Sequence, residues 1–297
     1  MTRNEFMTFI KTKKYLVSDG ATGSNLQQRG LDKGKAAETW IFENPAAIKQ
    51  LHLDFLNAGS DILLTCTFGA NRLRLEHAGL GEKVNEVNAC AVRIAREAIG
   101  DRSVLVAGSM GPLGQMLKPL GVLDGQDAQT IYAEQAQALY AAGADLLVIE
   151  TQFDVNEALA AIQGAQSVCD LPIVCSFSYD RGVKTMMGTT PTKMAQVLSQ
   201  FDLAALGINC GKSLQDNLLC LKELKQGSDK PIWFKPNAGL PSVDTLGNAV
   251  YTTTPADMGS KVAEWIAEGA VIIGGCCGTS PEHLAAIAGE VNKSKQS

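Results

Sequence analysis

Short apolar runs recur along the chain, each closed by glycine or a polar residue and followed by a stretch with helical spacing. The runs are Tyr15–Ser18, Ile62–Thr67, Val104–Gly108, Leu146–Thr151, Ile173–Phe177, Ala204–Asn209, Ile232–Lys235 and Val271–Gly275. Their apolarity is continuous rather than alternating, which marks strands of a parallel sheet buried on both faces. Between them the spacing predicts helices over Pro45–Asn57, Glu82–Ile99, Ala128–Ala142 and Asn156–Val168. Further helices are expected near Met194, Leu218, Val262 and Leu284. Pro45, Pro191, Pro255 and Pro281 stand where proline is tolerated, at a helix start.

A faint internal echo repeats the unit. AGSDIL (58–63), AGADLL (142–147) and EGAVII (268–273) each lead from a helix end to a strand through a glycine suited to a C-cap. Eight strand–helix units in 297 residues predict an α/β fold, a (β/α)8 TIM barrel, as a single domain over residues 1–297. A Rossmann-like sheet is the alternative, but no GxGxxG follows the first strand.

Composition narrows the functional classes. Hydrophobic residues make up 45% and charged residues 19%, a globular balance, and the formal net charge is -5. That charge argues against a nucleic-acid partner or an anionic membrane surface, because nothing supplies a phosphate-neutralising field. The start, MTRNEFMTFIKTKK, lacks the apolar stretch of a secretory signal, and no run reaches the length of a membrane helix. A cytoplasmic protein is expected, and its eight cysteines then read as reduced thiols.

Barrels of this kind carry their chemistry at the C-terminal ends of the strands. Those positions hold Asp19, Gly20, Cys66, Ser109, Glu150, Ser176, Asn209, Cys210, Asn237, Cys276 and Cys277. Adjacent cysteines in GGCCG have no obvious packing reason, and the flanking glycines let the backbone bend so both sulfurs can face one ion. With Cys210 they make three thiolates, which would leave a tetrahedral zinc one open position, as in a catalytic site. Three alternatives stand beside this: buried structural thiols, a metal-free barrel using GGCCG as an anion loop, and a non-catalytic zinc or thiol module. Cys66 reads as a small buried residue, with an accessory zinc ligand as its alternative. His52, His77 and His283 read as ordinary polar positions.

The strings DGATGS (19–24), LTCTFGANRLRL (64–75), IETQFD (149–154), LGINC (206–210), KPNAG (235–239) and GGCCGTSPEHL (274–284) resemble the homocysteine S-methyltransferase family. Within it they are most similar to the homocysteine-binding zinc barrels of cobalamin-dependent methionine synthases. The likeness runs from about Leu16 to Ala288. It implies that Cys210, Cys276 and Cys277 bind Zn2+, that the homocysteine sulfur is the fourth ligand, and that Asp19, Glu150 and Asn237 surround the amino acid. Backbone N–H groups at Gly20–Ala21 or Ser109–Met110 are candidates for the carboxylate. Cys66, where the family often has asparagine, and Lys235 depart from the usual pattern. The implied reaction makes methionine from homocysteine, with methylcobalamin on a partner corrinoid protein as the expected donor. S-methylmethionine, betaine, or a role as the first methyltransferase of a corrinoid demethylation system are the alternatives. The loop Gly111–Gly125 is the expected donor cap.

Overall fold

In a computed structural model of the chain, which describes residues 1–244 and 249–296, each apolar run becomes a strand. These are β1 (Leu16–Val17), β2 (Ile62–Leu64), β3 (Leu105–Met110), β4 (Leu146–Gln152), β5 (Ile173–Phe177), β6 (Ala205–Cys210), β7 (Ile232–Pro236) and, after a short antiparallel pair of β8 (Ser242–Val243) and β9 (Ala249–Val250), β10 (Ala270–Ile273). The eight-stranded sheet runs β1-β10-β7-β6-β5-β4-β3-β2, and every pairing in it is parallel. A parallel bridge between Ser18 and Ile62 joins the two ends and closes the ring. The expected (β/α)8 barrel is the observed fold.

Helices begin where proline predicted, at Pro45, Pro191, Pro255 and Pro281. The residue before each of the first three supplies the cap: Asn44, Thr190 and Thr254 accept from the N–H of Ala47, Lys193 and Asp257. Ser280 does otherwise, giving its hydroxyl to the Glu282 carboxylate at 2.5 Å. The echoed glycines earn their place through the backbone. Gly59, Gly143 and Gly269 hold φ of 106°, 91° and 102°, a conformation that lets the chain leave a helix and enter the next strand.

Alternation along the strands sorts side chains into two apolar layers. Leu64, Ala107, Val148, Val174, Trp233 and Ile272 belong to the cluster inside the barrel. Their neighbours Leu63, Val106, Leu147, Ile173 and Ile273 pack outward with the helices. The strand–helix pattern did not predict the first helix, Arg3–Lys13, which adds Phe6 and Ile10 to the inner cluster and packs with the strand starts. Two residues further along the inward register, apolar side chains give way to Ser109, Glu150, Ser176 and Lys235. That polar layer is the floor of the site.

Candidate active site

Cys210 ends β6, and Cys276 and Cys277 follow β10. The Sγ atoms of Cys210 and Cys276 lie 3.0 Å apart and those of Cys210 and Cys277 3.9 Å apart. All three sulfurs fall within 4.8 Å of one another, and none is in a disulfide. A tetrahedral zinc with bonds of about 2.3 Å spaces its sulfurs roughly 3.8 Å apart, so the triad fits such an ion with a shift of under about an ångström.

The thiols share charge. Hydrogen bonds from Cys210 and then Cys276 hold Cys277 well below the usual thiol range despite burial. Bonds to Cys276 and Cys277 push Cys210 up. Cys276 also rises, because its bond to Cys277 and its burial outweigh the bond from Cys210. A cation held among the three sulfurs would favour the ionised form of each.

Backbone contacts aim the sulfurs. Cys276 N–H donates to Pro236 O at 2.9 Å, and Ala238 N–H to Cys277 O at 2.9 Å, tying the cysteine turn to the end of β7. Asn237 N–H donates to Cys210 O at 3.3 Å and its Nδ2 to Gly211 O at 2.9 Å. Asn237 thus stands behind the Cys210 turn and braces it. Gly278, at φ 80°, lies against the Tyr251 ring, where a Cβ would overlap.

The other expected residues spread over two layers. Glu150 lines a cavity of about 660 Å³ that also opens onto Gly20, Ser109, Lys235 and the three cysteines. Ser109 Oγ donates to Glu150 Oε1 at 2.6 Å. Burial pushes the Glu150 carboxyl up to about 7, against the pull of Lys235. Asp19 sits deeper: Oδ1 accepts from Lys235 Nζ at 2.6 Å, and Oδ2 from Leu64 N–H at 2.7 Å. Two amides considered for a carboxylate are engaged within the protein. Ala21 N–H donates to Thr279, and Ser109 N–H to Thr65 Oγ1 at 3.1 Å.

Cys66 is buried and lines the cavity, but stands outside the sulfur triad; burial, with the nearby Glu38, raises its thiol. Leu113 and Gly114 of the expected cap loop line the same cavity. Of the histidines, His77 reaches the cavity wall, His283 bonds Ser280 and Thr253 O, and His52 is buried within reach of the Asp19 charge.

Sequence reasoning assigned no role to several residues. Asn209 takes Ser176 Oγ at 2.6 Å, exchanges hydrogen bonds with Thr151, and points Nδ2 at Cys276 Sγ, 3.8 Å away. Lys235 was visible only as an oddity before PNAG. Arg74, over the Phe68 ring at 5.4 Å, and Glu38, accepting from Gly69 N–H at 2.5 Å, line the outer wall. Position at a strand end was the available signal for Asn209; Arg74 was visible only inside the string LTCTFGANRLRL, and Glu38 carried no signal.

A model of the family described as homocysteine S-methyltransferase matches residues 16–291. Methionine synthases of Mycobacterium tuberculosis and Mycobacterium leprae are each 28% identical, over 97% and 94% of this chain. The chain spans about a quarter of the length of those two relatives, 25% and 24%. Among solved structures, the metallated form of the homocysteine methyltransferase MmuM from Escherichia coli aligns with a TM-score of 0.82 and 26% identity, covering 95% of this chain and 98% of that one.

Proposed function

Since the chain belongs to the homocysteine S-methyltransferase family, we propose that it binds zinc through Cys210, Cys276 and Cys277 and methylates homocysteine to methionine. The observation that carries this reading is the meeting of three free thiols from two separate strand ends within 4.8 Å. Zinc, when bound there, supplies the positive charge that keeps a thiol ionised at neutral pH, where a free thiol is mostly protonated.

The chain's own residues do the rest. The cysteine turn and the Asn237 brace fix where the substrate sulfur must lie, and orientation of reacting atoms is worth up to roughly 7–11 kcal/mol in favourable cases. Glu150 is the partner for the substrate ammonium: a carboxyl raised by burial gains most from an incoming cation, which favours its ionised form. The open side of the cavity, with Leu113 and Gly114, admits the donor. A methylcorrinoid on a partner protein is the donor in this reading, supported by the motifs shared with cobalamin-dependent methionine synthases. Methyl transfer turns the thiolate into a neutral thioether, a weaker metal ligand, which favours release.

The test is methionine formation from homocysteine by zinc-loaded protein, with methylcobalamin, S-methylmethionine and betaine in parallel. Turnover with one donor, lost in Cys277→Ala, is expected. A zinc-loaded protein that neither binds homocysteine nor methylates it would overturn the reading.

A further inference from the structure

Lys235 is 2% exposed, yet it lines the same cavity as the three sulfurs. An ammonium carries three donors. Among the described residues its one hydrogen-bond acceptor is Asp19 Oδ1, at 2.6 Å. Burial opposes its charge, while Asp19 and Glu150 favour it and hold the ammonium above the ordinary lysine range. A buried ammonium with unmet donors is costly unless something else completes its shell. The second oxygen of Asp19 is turned to the backbone instead, taking Leu64 N–H at 2.7 Å. Glu150 lies across the same cavity with Oε1 held by Ser109. One cavity therefore offers a cation, an anion and three sulfurs to the same ligand.

The geometry points to Lys235 as a specificity-determining residue that receives the carboxylate of the thiol substrate. This rests on the proposed function and goes beyond it. The backbone amides of Ala21 and Ser109 already bond within the protein, so they are not free to do this. With the ammonium on Glu150 and the carboxylate on Lys235, a zwitterionic thiol satisfies both charges at once. A thiol lacking the carboxylate leaves Lys235 donors buried and unpaired, a loss worth about ten- to hundredfold in affinity.

Calorimetric titration of the zinc-loaded full chain with homocysteine and with 3-aminopropane-1-thiol, its counterpart without the carboxylate, tests this. The wild type should bind homocysteine at least tenfold more tightly. Lys235→Met should erase that preference by weakening homocysteine while shifting the aminothiol less than about twofold. Because Lys235→Met strands the buried Asp19, the double variant Asp19→Asn/Lys235→Met removes both charges and should show the same loss of preference. Equal binding of the two thiols by the wild type, or equal weakening of both in the variants, would overturn the inference while leaving the proposed function standing. Binding of neither thiol by zinc-loaded wild type would bring down the proposed function, and the inference with it.

Discussion

Asn209 and Thr151 grip each other reciprocally: Asn209 Nδ2 donates to Thr151 Oγ1 at 2.7 Å, and Thr151 N–H donates to Asn209 Oδ1 at 2.8 Å. Thr151 has φ 60°, and Cys210, next to Asn209, has φ 58°. Such conformations cost non-glycine residues roughly 1–3 kcal/mol each and persist where surrounding bonds over-determine them. Here the clamp joins the ends of β4 and β6, so Glu150 and Cys210 are positioned by one side chain.

The clamp makes Asn209 an orienting residue for the metal ligands. Asn209→Ala should lower zinc affinity about 10–100-fold, the usual effect of removing a group that orients ligands. Competition with a chromogenic chelator reads this directly. Unchanged affinity would show that the sulfurs hold their positions without it.

Cys66 separates the triad from its neighbourhood. Metal analysis should find one zinc per chain in the wild type and in Cys66→Ala. It should find none retained after dialysis in Cys210→Ala or Cys277→Ala. Loss of zinc in Cys66→Ala would make that residue a ligand.

His52 predicts an acid-labile fold. Burial lowers its pKa from 6.5 to about 4, and neither ring nitrogen has a partner. Below pH 6.5 the unfolded chain takes up a proton that the folded chain refuses until about pH 4. Stability from this group is therefore present above pH 6.5 and lost as pH falls through the window to about 4, a total of about 3 kcal/mol. Urea unfolding at pH 7.5 and 4.5 should show most of that loss in the wild type and a shallower fall in His52→Leu. Parallel slopes in the two proteins would dismiss His52 as the cause.

Gly278 faces two constraints at once, a φ of 80° and the Tyr251 ring where its Cβ would stand. Gly278→Ala should displace the turn that carries Cys276 and Cys277, lowering thermal stability and zinc retention together. A variant that melts like the wild type and keeps its zinc would mean the turn adapts.

The loop Gly111–Gly125 exposes Leu120 and Val122 while Leu113 lines the cavity. Deleting Gln115–Pro119 should reduce methyl transfer far more than zinc binding. Equal loss of both, or of neither, would remove the loop from donor handling.

The barrel itself was written in the chain, since strands buried on both faces are continuously apolar and the three echoed helix-to-strand turns each carry a glycine at positive φ. Gly59, Gly143 and Gly269 and the four helix-starting prolines state this locally, without long-range information. The cysteines were also visible, because GGCCG has no packing rationale. What the tertiary structure alone decided was distance. Asp19 and Lys235 are separated by 216 residues yet meet at 2.6 Å, so a carboxylate expected beside the substrate is paired to a lysine below it. Asn237, expected around the amino acid, lies behind the Cys210 turn, and Asn209 reaches across to Thr151, 58 residues away. Periodicity tells which way a side chain faces along its own strand; which partner it meets depends on strand order and closure of the ring, and those exist only once the whole barrel is assembled.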